Sequence, residues 1–264
     1  MQQAQDFLEE SRALFALIDP LDQQAFETVT QFKGWTIADV LRHLHVWNHA
    51  VLLALESPAE FGAFFEPIGV QLASGKSLRD YEYGYLDGVS GDSLKQLWEQ
   101  TYERAAAAFG SADPAARLPW AGPSMSARSA ISARQMETWA HGQEVFDVLG
   151  AEREDSDRIR NVVVLGVNTY GWTFQARKQT PPEPVPELVL TAPSGEVWQF
   201  GEPQSDNRIS GSAVDFARVV TQTRNVLDTG LEVVGQNAQQ WMHNAQCFAG
   251  GAQQPPAPGS RFKV

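Results

Sequence analysis

The 264-residue chain is poor in cysteine, with Cys247 alone, and in histidine, with five. A single thiol makes neither an intrachain disulfide nor a thiolate cage for a metal. Long apolar runs are missing too: Ala50 to Leu55 and Ala105 to Phe109 are the longest, far short of the ~18 residues that a membrane span needs. No basic, apolar leader follows Met1, where Gln2, Gln3, Asp6, Glu9 and Glu10 stand instead, so no secretory signal is expected and a cytoplasmic location is. Basic residues number 20 against 32 acidic ones, a net charge of −12. Such a chain repels phosphate backbones and anionic lipid, so a small-molecule substrate is expected rather than nucleic acid or a membrane. Gly-x-Gly-x-x-Gly, His-Glu-x-x-His and a nucleophile elbow are all absent. The stretch from Gly69 to Gly75-Lys76-Ser77 has five residues between its glycines, one more than a phosphate loop has, and no strand pattern leads into it. Nucleotide, zincin and serine-hydrolase chemistry are thereby set aside.

What is present is an apolar content of 43%, enough for a folded core, in patterns that change along the chain. Phe7, Leu8, Leu14, Phe15 and Ile18 fall near helical spacing before Pro20. A second helix opens at Thr36, an N-cap residue, and runs to about Leu55; a third spans about Ser93 to Phe109. After a connector holding Pro119, Gly122 and Pro123, a long helix runs from near Ser126 to Gly150. Four such helices predict a bundle over residues 1–152. Beyond it the pattern predicts a helix from about Ser156 to Arg177 and a hairpin of Leu188–Leu190 with Val197–Phe200 around Pro193-Ser194-Gly195. A short strand at Arg208–Ser210 and helices over Gly211–Arg224 and Leu231–Phe248 complete a small α/β domain, 153–249, and residues 250–264 read as a flexible tail. The fold class expected is α+β, mostly α.

Three of the five histidines, His43, His45 and His49, share the second helix. At ~100° per residue only His43 borders the apolar stripe of Ile37, Val40, Leu44, Trp47 and Val51, while the other two point outward. His45 and His49, four apart, are either a chelating pair or two hydrated surface residues. In the long helix Glu137 and His141, also four apart, leave one face a turn apart, and Arg134 and Glu144 extend the row among Ala130, Ala133, Val145 and Val148. Polar groups in an apolar stripe must be satisfied internally. Two imidazoles and a carboxylate drawn from facing helices would suit Zn²⁺ or Fe²⁺; the other reading is a salt-bridge network of Arg134 with Glu137 and His141 with Glu144. Gly142 marks either a close approach or a tolerated kink. Cys247 reads as a buried spectator, His243 as a surface or packing residue, and Trp35, Trp47, Trp98 and Trp139 as fillers between helices.

Gly34-Trp35-Thr36-Ile37-Ala38-Asp39 with His43 resembles the Gly-Trp-Thr-x-x-Asp-x-x-x-His segment of the DinB-like superfamily, most of all its mycothiol-dependent maleylpyruvate isomerase branch. Arg134, Glu137, His141 and Glu144 match that branch's Arg-x-x-Glu-x-x-x-His-x-x-Asp helix, with Glu144 in the aspartate's place. Met136-Glu137-Thr138-Trp139-Ala140-His141-Gly142-Gln143 and the Phe248-Ala249-Gly250 ending are similar to a metal-binding group within the branch. The resemblance implies a four-helix bundle, a smaller α/β domain, and a divalent metal on His43, Glu137 and His141. Zinc is the usual ion, with iron or nickel as alternatives. It also implies a low-molecular-weight thiol, mycothiol or glutathione, whose sulfur binds the metal and attacks an electrophile. A C-terminal arginine assists in relatives; Arg224 is the nearest candidate here, with Arg208 and Arg218 as rivals. The leading expectation is a thiol-dependent transferase or isomerase, with Arg134 or a C-terminal arginine holding a substrate carboxylate. The alternatives are a metal-water hydrolase using Glu144 as its acid or base, and a metal-binding or stress-related module without catalysis.

Overall fold

In the computed structural model, which describes residues 1–264, the chain forms two compact units, Met1–Val148 and Leu149–Val264.

Helix α1 (Gln2–Ile18) of the first unit buries Phe7, Leu14 and Ile18. Helix α2 (Ile37–Glu56) starts where expected, because Thr36 and Asp39 form a capping box: each side chain accepts from the other's backbone N–H. Those two bonds satisfy orphan donors of the first turn. Helix α5 (Gly91–Ser111) carries Leu94, Trp98, Tyr102 and Phe109 inward, and α6 (Ala127–Val148) carries Ile131, Trp139 and Val145. Helix α1 packs on α5 and α6, and α2 packs on the same two, which closes the expected four-helix bundle.

Two further helices are additions to the expectation. Helix α3 (Pro58–Ala73) contains Pro67, which removes a helical donor, and is held by Phe61, Phe64 and Ile68 packed inward. Helix α4 (Leu78–Tyr85) is opened by Ser77 and Asp80 in a second capping box; Lys76-Ser77, part of the phosphate-loop look-alike, is thus the entry to a short helix. Both pack against α2. The connector before α6 is a hairpin of β1 (Arg117–Trp120) and β2 (Gly122–Ser126), its register shifted between Leu118 and Trp120. No helix of the chain is long and apolar enough to cross a membrane.

The second unit is built on a four-stranded mixed sheet in the order β4-β3-β5-β6. Strands β3 (Glu187–Thr191) and β4 (Val197–Phe200) form the expected antiparallel hairpin, and β5 (Arg208–Ser212) lies parallel to β3, pairing Leu188 with Ile209. Three segments differ from expectation. The helix expected over 156–177 is broken at Thr169 into α7 (Arg160–Asn168) and α8 (Tyr170–Gln175). Helix α9 stops early (Ala213–Val220). The segment from Leu231 opens as strand β6 (Glu232–Val234), whose two β-branched residues suit a sheet, before α10 (Gln236–Asn244). Gly235 separates these two at φ +92°, where a Cβ would stand 2.2 Å from the Asp206 carbonyl oxygen. Trp241 is fully buried, edge-on to Tyr170 and Phe216. Gly166 lets α7 approach α9, since a Cβ there would meet Val220 at 2.9 Å. Residues 250–264, expected to be a flexible tail, carry hydrogen bonds within this unit: Asn225 donates to the Pro256 carbonyl and Gly259 N to Asp228.

Candidate metal centre

Lys33 and Gly34 both adopt positive φ, 49° and 70°, at the tip of the turn before α2, a conformation suited to glycine at the second. The turn is closed by a bridge of Val29 with Thr36 and leads into the capping box. Two turns into α2, His43 faces α6. There Glu137 and His141, at i and i+4, meet it: His43 Nε2 lies 3.4 Å and His141 Nε2 3.3 Å from Glu137 Oε2. One ligand atom of each residue lies within 4.8 Å of the others. The alternative pairing, Arg134 with Glu137, is not formed: Arg134 Nε donates instead to Asn48 Oδ1 at 3.0 Å.

The two imidazoles are steadied by different means. His141 lies flat on Trp35, with ring centroids 5.4 Å apart and planes 4° from parallel, and Phe32 stands edge-on to both. His43 is held through its far nitrogen, where Nδ1 is 2.7 Å from Glu82 Oε1. A carboxylate only accepts, so Nδ1 is the donor. Trp47 Nε1 donates to the same oxygen at 2.9 Å, while the buried Glu82 Oε2 has no partner. Trp35 and Trp47, expected as fillers, therefore belong to the walls of this centre, whereas Trp98 and Trp139 are fully buried in the bundle. Sequence reasoning missed Glu82 because it sits on the short α4; the only mark on the sequence was Ser77-x-x-Asp80, a capping box announcing a helix there.

Burial opposes charge on His43, but the Glu82 and Glu137 carboxylates outweigh it and raise its pKa to about 9. Burial likewise works against the Glu137 anion, yet hydrogen bonds and charge from His141 and His43 hold it well below the usual carboxylate range. His141 is pushed down, by burial first and by the His43 cation, against the pull of Glu137. Arg134 is pushed down to about 10 by burial, opposed by Glu137 and Glu82, and stays cationic at neutral pH.

The remaining candidates fall elsewhere. Glu144 is buried on α6, 1% exposed. Arg224 belongs to the second unit, where it is half-buried and donates to the Thr223 carbonyl. Arg218 there pairs with Asp215. His45, expected to point outward, is buried: α5 covers that side of α2, with Thr101 Oγ1 3.0 Å from His45 Nδ1, and burial pushes its pKa down to about 4. His49 is half-buried against Phe64 and Tyr85. Neither joins a group of three or more metal-ligating side chains. His243 is exposed, bonded to the Gln239 carbonyl, and Cys247 is buried.

With this geometry in hand, the chain was compared with known proteins. Residues 7–146 match the family described as the mycothiol maleylpyruvate isomerase N-terminal domain. Two uncharacterized proteins, from two strains of Mycobacterium tuberculosis, are each 36% identical over 254 residues, covering 96% of this chain and 96% of their own. Among solved structures, the crystal structure of the mycothiol-dependent maleylpyruvate isomerase aligns with a TM-score of 0.53 at 18% identity, covering 83% of this chain and 87% of that one. A point mutant of the same enzyme aligns with a TM-score of 0.52 at 17% identity and the same coverage. At these identities the structural likeness speaks for the fold.

Proposed function

The chain belongs to the mycothiol maleylpyruvate isomerase N-terminal domain family, and from that premise we propose that it is a thiol-dependent isomerase or transferase whose centre is a divalent metal ion on His43, Glu137 and His141. The observation that carries the proposal is the convergence of three ligand atoms within 4.8 Å from two helices. The donor set fits zinc. Two imidazoles and a carboxylate are donors that zinc takes; the two histidine–glutamate separations are 3.4 and 3.3 Å, and all three ligand atoms lie within 4.8 Å of one another. Three protein ligands leave a coordination position for an exogenous group. Charge fits as well: Arg134 offsets one of the two carboxylates, Glu82 and Glu137, so a divalent ion in this shell keeps one net positive charge, suited to a single thiolate.

When bound, such an ion lowers the pKa of a coordinated thiol from about 8.5 towards neutrality. The protein's part is positional. Trp35 and Phe32 pack on His141, and Arg134 supplies a fixed cation. Arg134 Nε is occupied by Asn48 and its buried Nη2 has no partner, so a substrate carboxylate would be gripped end-on, through the Nη atoms. Arg224 is kept, on the family resemblance alone, as a candidate substrate-binding arginine; an Arg224→Ala variant with full metal content and weakened substrate binding is the expected result.

The test is elemental analysis of purified protein with thermal melts in added Zn²⁺, then in Zn²⁺ with mycothiol or glutathione. Wild type should carry about one ion per chain, and zinc and then thiol should each raise Tm by mass action. Protein that binds no divalent metal overturns the centre, and a metal-loaded protein indifferent to every thiol overturns the thiol chemistry.

A further inference from the structure

We infer that Glu82 is the positioning residue of this centre, fixing His43 through Nδ1 so that Nε2 is the atom turned to Glu137 and His141. The inference rests on the metal reading above and deepens it. Glu82 is 1% exposed, yet only one of its oxygens is used, and that oxygen takes both the His43 Nδ1 and the Trp47 Nε1 donors. Its second oxygen is buried without a partner. A buried carboxylate left half-satisfied is costly, and an apolar residue would fill the same space between α4 and α2 at lower cost. A carboxylate behind a ligating imidazole offsets that cost with two effects: it selects the tautomer and makes the ring a stronger donor. The contrast with His141 supports the assignment. That ring is oriented by stacking on Trp35, whereas a ring lacking such a face-on neighbour needs its far nitrogen held. His43 meets its aromatic neighbours at 60° and 48°, angles that do not lock its plane.

The competing role is a pin that only docks α4 on α2, and four proteins separate the two: wild type, Glu82→Leu, Glu82→Gln and Tyr81→Leu. Zinc affinity is measured by chelator competition, and the His43 Nδ1–H resonance is recorded by NMR on the zinc-loaded full chain. Positioning predicts a loss of about 10–100-fold in affinity for Glu82→Leu. Glu82→Gln, which keeps an acceptor oxygen and loses the charge, should fall in between and move the Nδ1–H resonance upfield. Tyr81→Leu loosens the packing of α4, where Tyr81 rests on Phe64 and Tyr85, while leaving the His43 bond, and should stay within about threefold of wild type. If Glu82→Leu fails to fold, the isosteric Glu82→Gln carries the test through its affinity and its resonance. Glu82 variants within about threefold of a zinc-binding wild type overturn the inference and leave the metal reading standing. A wild type that binds no zinc overturns the metal reading and this inference with it.

Discussion

The two sides of the first unit's bundle are built on opposite chemistry. Where α1 meets α5 and α6, the interior is mainly hydrocarbon and aromatic: Phe7, Leu14, Ile18, Trp98, Tyr102 and Phe109 are all at most 1% exposed, with Glu10 and Ser11 the buried polar residues of α1. Phe15, Trp98 and Tyr102 rings pack at centroid distances of 5.0–6.4 Å. Where α2 meets α6, the same bundle buries His43, Asn48, Arg134 and His141, with Glu82 added from α4. The first side is what a bundle needs in order to fold. The second is costly to fold, because each charge must be desolvated and only part of that loss returns through pairing. The same four helices could have been closed with leucine throughout, and the metal reading proposed above gives the polar side its reason.

Mutations should divide along that line. The largest effect is all-or-none: Glu137→Ala or His43→Ala should abolish zinc stoichiometry and the zinc-dependent rise in Tm, with helix content by circular dichroism kept. Trp98→Ala on the hydrocarbon side should do the reverse, costing about 3–5 kcal/mol in urea unfolding with zinc stoichiometry of the folded fraction unchanged. A Trp98 variant that loses zinc while folded, or a Glu137 variant that keeps it, breaks the division. Between the two stands the α2 cap. Thr36→Ala removes one half of the capping box and should cost about 1 kcal/mol; it sharpens the comparison, since zinc affinity should move little if His43 is held by Glu82 rather than by the start of its helix.

How much of this was legible in the sequence follows from range. Thr36 and Asp39 are three residues apart, and Glu137 and His141 four, so the start of α2 and the candidate pair of α6 could be read from local geometry. That His43 meets them is a contact between distant segments; spacing left it open, and the family resemblance supplied it as an expectation. Glu82 is 39 residues from His43 on a helix too short to show a period, so neither route reached it. Helix α3 was hidden by Pro67 and two glycines, and the β1–β2 hairpin by Pro119, Gly122 and Pro123, which read as punctuation until tertiary packing overrules them. His45 went wrong for a definite reason. The angular reading gave α2 a single buried face, but α2 is flanked by α5 and α6 in the bundle and by α3 and α4 outside it, so it is buried nearly all round.

The smallest expected effect tests that last point at the margin of α2, where His49 is half-buried beside Phe64 and Tyr85. Its pKa is pushed below the ordinary 6.5 by burial first and by the Arg104 cation, against the attraction of Glu56 and Glu60. His45 lies one turn before it on the same helix, with Glu56 beyond it paired to Arg104. A histidine whose folded pKa is depressed binds fewer protons folded than unfolded just below 6.5, so its contribution to stability is full above that pH and is lost as the pH falls. His49→Gln should therefore flatten the decline of the urea midpoint between about pH 7.5 and 5.5 slightly, leaving the midpoint at the higher pH nearly unchanged. A variant whose decline is as steep as wild type would assign that slope to other groups and mark His49 as solvated, the exposed residue that the angular reading of α2 made it.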